Sequence, residues 1–257
     1  MYAPVNGVEM YYEIHGSGRP IVLIHGALST IGTSFGAILP ALARTRRVIA
    51  VELQAHGRTA DIDRPFGYPA FADDVAALLD HLGIAEADFF GYSVGAGVAL
   101  EIAIRRPDLV GKLVLQSVAF SVDGMHPGLL DGIEELTPDD LAGSPFERAY
   151  AESAPDPAAW PALLDKVKEF DLDFKGWEPA TVRAIAAPVL LVVGDSDIVR
   201  PEHAVELFRL LGGGVPGDVV PMPKSQFAVL PGTNHVGLPE RAAWLVPMIE
   251  SFLDAPA

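Results

Sequence analysis

The chain has 257 residues, half of them apolar and 20% charged, with a formal net charge of −16 and no cysteine. That length suits one large domain with a sizeable core. The acidic balance argues against a nucleic-acid surface, an anionic membrane or a highly anionic substrate, and the lack of cysteine excludes disulfides, a thiolate nucleophile and cysteine-held metals.

The start, Met1 to Gly7, lacks the basic residues and apolar run of a secretory signal. Nowhere does an apolar stretch reach the roughly 18 residues that suggest a spanning helix, so a cytoplasmic location away from membranes is expected. Asn6-Gly7 between two short extended stretches is a hairpin signal. After Gly16-Ser17-Gly18, Pro20 to Ile24 has the continuous apolar character of a strand buried on both faces. His25-Gly26-Ala27-Leu28 follows, then a helix expected over about 33 to 44 and a strand over Arg47 to Val51. Phe71 to Leu82 is amphipathic, with Phe71, Val75, Leu78, Leu79 and Leu82 on one face and Gly83 as its stop. Ala87 to Phe90 is a short buried strand, and Ala96 to Arg106 a helix that Pro107 ends.

Between that strand and helix lies Gly91-Tyr92-Ser93-Val94-Gly95. Gly-x-Ser-x-Gly has chemical meaning only in this strand-turn-helix setting. A serine alcohol is a weak nucleophile and must stand clear of the backbone to reach both a base and an acyl carbon. The flanking glycines let strand and helix approach without Cβ collisions.

Lys112 to Leu115 is another strand, ending at Gln116-Ser117. From 120 to 183 the pattern changes to short helical pieces punctuated by proline. They are rich in acids and in large side chains such as Met125, Leu129, Phe146, Tyr150, Trp160, Leu163, Phe170 and Trp177. Those aromatics argue for a folded helical insertion over a linker. They could line an apolar pocket or form the insertion's own core, and for any single residue the core is favoured. The insertion's acids are read as a solvated face. Pro188 to Val193 resumes the strands, followed by Gly194-Asp195-Ser196-Asp197 and a helix over about 201 to 211. A last strand near Asp218 to Pro221 or later precedes His235, and Pro239 to Leu253 makes the final helix. Strands alternating with helices imply right-handed crossovers and a mostly parallel sheet.

A serine nucleophile needs a base, and the base needs a group that orients it and stabilises its cation. Residues just past the C-terminal ends of parallel strands meet over one edge of the sheet. Ser93, His235 and either Asp195 or Asp197 hold such positions. His25 and His56 also sit in strand-end loops and are the rival bases, although Gly26 and Gly57 beside them suggest roles in shaping the backbone. The oxyanion that forms needs donors, and position nominates the amides of Val94 and Ala27.

On Ile24-His25-Gly26, Gly91-Tyr92-Ser93-Val94-Gly95, Gly194-Asp195-Ser196-Asp197 with Pro201, and His235, the chain resembles the α/β-hydrolase superfamily. The resemblance is to its compact, lidded carboxylesterase-like and haloperoxidase-like members, and it covers nearly the whole chain apart from the insertion. It implies an α/β fold with a mostly parallel eight-stranded sheet, a core of 1–119 and 184–257, and a helical cap of 120–183. It also implies Ser93, His235 and Asp197 as the catalytic triad, which settles the choice of acid. Glu52 and Ala55 depart from the family's usual aspartate and glycine. Serine at 93 argues against the aspartate-dependent dehalogenases and epoxide hydrolases. Tyr92 stands where carbon–carbon bond hydrolases commonly carry asparagine.

The expected function is hydrolysis of a small, largely apolar carboxylic ester through an acyl-enzyme on Ser93. Lactone, thioester or carbon–carbon cleavage and perhydrolysis on the same residues are alternatives, and a non-turnover receptor is the alternative from another class. Neither a metal nor an organic cofactor is expected. The partner is a small-molecule ester, and nothing indicates a homo-oligomer.

Overall fold

A computed structural model describes residues 1–256. Strands β1 (Tyr2–Val5) and β2 (Val8–His15) pair antiparallel, with Val5 opposite Val8. The two residues between them, Asn6 and Gly7, have φ of 47° and 87°. Positive φ at both centres of a two-residue turn matches the right-handed twist of the flanking strands, which is why Asn-Gly makes this hairpin. β3 (Arg19–Ile24), two short helices α1 (Ile31–Phe35) and α2 (Leu39–Leu42), and β4 (Arg46–Val51) follow. The single helix expected over 33 to 44 is thus divided in two, and Pro40 opens the second piece, where its missing N–H costs nothing.

α3 (Tyr68–His81) leads to β5 (Ala87–Tyr92), α4 (Val94–Arg105) and β6 (Val110–Gln116). Between β6 and the next strand lie α5 (Leu129–Glu135), α6 (Pro145–Ser153), α7 (Trp160–Asp173) and α8 (Pro179–Arg183). β7 (Val189–Ser196), α9 (Pro201–Leu210), β8 (Gln226–Asn234) and α10 (Ala242–Asp254) complete the chain. The last strand lies later than Asp218 to Pro221. Val219 and Val220 look strand-like, but Pro216, Pro221 and Pro223 surround them, and proline cannot donate to a ladder.

The eight strands form one sheet in the order β1-β2-β4-β3-β5-β6-β7-β8, antiparallel at β1, β2 and β4 and parallel from β4 onward. Alternate side chains of the central strands feed two cores. Val22, Ile24, Phe89, Leu113, Leu115 and Leu191 pack with α3 and α4. Leu23, Phe90, Val114, Leu190 and Val192 pack with α1 and α10. Both faces are covered, so these strands read as unbroken apolar runs. The connections turn in opposite directions on leaving β3 and β5. Such a switch opens a crevice beyond the strand ends, and Ser93 sits at that point.

Candidate active site

Ser93 occupies the one-residue turn between β5 and α4, at φ 55° and ψ −119°. A non-glycine residue held there is strained, and the surroundings must impose the conformation. The two glycines show how. A Cβ on Gly91 would strike the Gly95 carbonyl one turn away, and a Cβ on Gly95 would strike the Ile24 carbonyl at the end of β3. Strand, helix and neighbouring strand therefore converge to a separation only glycine allows. The Ser93 amide donates to the Gln116 carbonyl at 2.8 Å, which ties the turn to β6.

His235 directly follows β8, and its Nε2 lies 3.0 Å from Ser93 Oγ. Its Nδ1 lies 2.9 Å from Asp197 Oδ1, just beyond the end of β7. The residues nominated from opposite parts of the chain thus form one hydrogen-bonded chain from alcohol to imidazole to carboxylate. Asp197 is buried, which pushes its pKa up. Hydrogen bonds from His235, Ser117 and the Gly194 amide outweigh that effect and hold the group below the usual carboxylate range. It stays ionised, so it can fix the imidazole with its proton on Nδ1.

Asp195 faces away from this chain. It accepts from the amides of Gly232 and Thr233 at 2.9 and 3.1 Å, joining the end of β7 to β8. It thus serves the backbone of β8 and not the imidazole. The rival histidines are committed to the backbone. His25 accepts from the Leu53 amide through Nε2 at 3.0 Å, so its Nδ1 carries the proton that goes to the Gly26 carbonyl at 2.7 Å. His56 Nδ1 lies 2.9 Å from the Gln54 carbonyl. Both rings are fully enclosed, which pushes the His25 pKa down to about 3 and that of His56 to about 4.

Two contacts were not legible in the sequence. Ser117, after β6, donates to Asp197 Oδ1 at 2.7 Å and lies 2.7 Å from His235 Nδ1. It holds φ 56°, which swings the side chain into the triad. Its only sequence signal is a strand-end position shared by many serines. Tyr92 donates its hydroxyl to the His235 carbonyl at 3.0 Å, fixing the histidine loop from below.

The amides of Ala27 and Val94 flank the serine. Val94 is the first residue of α4, so its amide has no partner within the helix, and the Ala27 amide also lacks a protein acceptor. The Gly26 loop lies close: a Cβ there would be 3.0 Å from the Tyr92 ring and 3.2 Å from Ser93 Cβ. Ser93, His235, Ala27 and Val94 all line a cavity of about 230 Å³, to which α5, α6 and α7, Tyr68 of α3 and the loops after β6 and β7 also contribute. Met125 and Phe146 face this space, whereas Trp160, Leu163 and Tyr150 pack together beside it. Asp171 corrects the expectation that the acids of this segment form a solvated face, because it lines the cavity.

Among the described residues no group of three or more His, Asp or Glu side chains could hold a metal ion, and no helix is long and apolar enough to cross a membrane.

Residues 19–147 match the family profile of the alpha/beta hydrolase fold. The chain belongs to that family. Within it, the chain is 34% identical over 123 residues to a putative carbamate hydrolase RutD of Rhizobium rhizogenes (strain K84 / ATCC BAA-868), covering 46% of this chain and 47% of that one. It is 35% identical over 133 residues to the 2-hydroxymuconate semialdehyde hydrolase of Pseudomonas sp. (strain CF600), with the same two coverages. The alignment thus spans about half the length of each of these relatives. The enol-lactonase from Burkholderia xenovorans LB400 superposes with a TM-score of 0.74 at 22% identity, covering 99% of this chain and 100% of that one, which shows the shared fold.

Proposed function

We propose that this hydrolase cleaves a small, largely apolar carboxylic ester through an acyl-enzyme on Ser93. The observation that carries the reading is the unbroken hydrogen-bond chain from Ser93 Oγ through His235 to Asp197, opening on a largely apolar cavity with two amides beside the serine that have no acceptor among the described residues.

His235 Nε2 takes the Ser93 proton as Oγ attacks the acyl carbon. The carbonyl oxygen gains the negative charge and is held by the Ala27 and Val94 amides. Each such donor is worth roughly 3–4 kcal/mol of barrier in comparable sites. Collapse breaks the bond to the leaving oxygen, which receives the proton from His235. Water then enters, gives a proton to His235 and attacks the acyl carbon, and Ser93 recovers its proton as the acid departs. Asp197 stays ionised throughout and stabilises the imidazolium. Residues 120–183 act as the cap: their apolar side chains exclude bulk water and set which acyl or alcohol group fits.

Cleavage of a lactone or a carbon–carbon bond on the same residues is the second reading, favoured by what the 2-hydroxymuconate semialdehyde hydrolase and the enol-lactonase are named for. Steady-state hydrolysis of p-nitrophenyl esters from acetate to laurate, wild type beside Ser93→Ala, separates the readings. The ester reading expects turnover that disappears in the variant, with an optimum among short chains because the cavity is small. A folded wild type that leaves every ester intact passes the proposal to lactones and carbon–carbon substrates.

A further inference from the structure

The wall of the cavity is apolar over most of its area, and several of its polar side chains have protein partners. Ser93, Ser117 and His235 bond one another, and Tyr92 bonds the His235 carbonyl. Lys168 also lines the cavity, and its ammonium donates to the carbonyl of Leu136, another lining residue, at 2.9 Å. Asp171 lies one helical turn along α7 from Lys168. It is the single carboxylate on the wall among the described residues, and no protein donor or cation pairs with it. Burial pushes its pKa up to about 6, partly offset by the charge His235 can carry, which places the two groups within electrostatic reach across the cavity.

Asp171 is half-buried on this wall, and the acceptor sites of its carboxylate are left by the protein to water or to a ligand. Nothing in the packing of α7 requires an acid there. Leu163, Leu164, Val167 and Phe170 supply the buried face of the helix, and a leucine at 171 would continue it. Aromatic rings stand nearby. Tyr68 and Phe174 line the same cavity, edge to face at 5.4 Å between centroids. A carboxylate beside aromatic rings is the environment that binds an ammonium group, through a charge-assisted hydrogen bond and the negative ring faces. The molecule's formal charge of −16 would draw a cation in and repel an anion.

The geometry points to Asp171 as the recognition site for a protonated amino group on the substrate, so the preferred ligand is an apolar ester bearing one cationic amine. This rests on the ester-hydrolase reading and adds a negatively charged point to a largely apolar fit. Lys168, held by Leu136, leaves that point to Asp171. The amine would sit at the α7 side of the cavity while the acyl carbon meets Ser93.

Two pairs of near-isosteric esters test it, with the charge on either side of the scissile bond. The first is 2-(dimethylamino)ethyl acetate with 3-methylbutyl acetate. The second is ethyl 4-(dimethylamino)butanoate with ethyl 5-methylhexanoate. In wild type at neutral pH the amine should exceed its neutral partner in kcat/KM by about tenfold or more in one pair, the size expected of a charge-assisted hydrogen bond. Asp171→Asn should abolish that preference and Asp171→Glu should restore part of it. Because each ratio is internal to one protein, a general loss of activity does not imitate the effect. Ratios that are equal in wild type, or unchanged in Asp171→Asn, overturn the inference. If wild type hydrolyses neither these esters nor p-nitrophenyl acetate, the ester reading has failed separately. Titration calorimetry of the same pairs then decides by binding alone: a cation preference that Asp171→Asn removes supports the site, and equal affinities reject it. Should the asparagine variant not fold, Ser93→Ala with its native Asp171 serves for the titration, and equal affinities again reject the site.

Discussion

Ser117 shows how much of this site depends on residues without a motif. One oxygen, donated by the residue after β6, touches both Asp197 and His235 at 2.7 Å. It can accept the Nδ1 proton or steer it toward the carboxylate, and in both roles it narrows the orientations open to the imidazole. Ser117→Ala leaves nucleophile, base and acid in place and removes this restraint. One lost hydrogen bond of about 1–1.5 kcal/mol predicts a fall of roughly tenfold in kcat with KM little altered. Steady-state kinetics on a short p-nitrophenyl ester would check this. A change confined to KM would show instead that Ser117 shapes the binding surface. Ser93 and His235 were nominated by their strand-end positions, whereas position left Asp195 and Asp197 level and only the family resemblance chose between them. Ser117 was not nominated, since a lone serine after a strand carries no distinguishing signal. Asp171 was hidden for another reason. In the run Phe170 to Phe174, with aspartate at 171 and 173, nothing in the local sequence says which acid turns inward.

At the scale of elements, the loops after β3 and β4 are joined by buried neutral histidines. His25 bridges from the Gly26 carbonyl to the Leu53 amide, and its ring lies 5.0 Å from that of His56. Both native pKa values lie below the unfolded value of about 6.5, at about 3 and about 4. As pH falls below 6.5 the unfolded chain takes up protons that the native rings refuse, so stability rises with pH across this window. Asp171 acts in the opposite sense. Its native value of about 6 lies above the unfolded one, so it favours the native state as pH falls through 6. His56→Gln should therefore lower the pH slope of unfolding free energy by about 1.2 kcal/mol per pH unit between pH 5 and 6. Urea denaturation at several pH values would measure it. An unchanged slope would mean that His56 is protonated in the folded protein.

The elements themselves were readable to differing degrees. The central strands stand out because burial on both faces demands continuous apolar runs, and the hairpin at Asn6-Gly7 because its turn geometry selects those residues. The end of the chain was less clear. In the stretch from Gly212 to Ser225, glycine and proline break every ladder around an apolar Val219-Val220, so apolar content suggested a strand where backbone chemistry forbids one. β8 instead forms at Gln226–Asn234, an edge strand whose mixed burial gives little periodic signal.

For the molecule as a whole, a sheet covered on both faces provides a rigid edge, and the turn after each of β5, β7 and β8 delivers one member of the hydrogen-bonded chain Ser93–His235–Asp197 to it. The α/β-hydrolase fold shows that this edge is where a site belongs. In the proposed reading the helices between β6 and β7 select the substrate, and no motif specifies their lining. The central claim is that Ser93 is the nucleophile, activated by His235. Intact-protein mass spectrometry after brief treatment with a fluorophosphonate probe tests it without assuming a substrate. The account predicts one adduct per chain, located on Ser93 by peptide mapping, absent in Ser93→Ala and much slower to form in His235→Ala. An adduct on another residue, or equal labelling of wild type and Ser93→Ala, would contradict it.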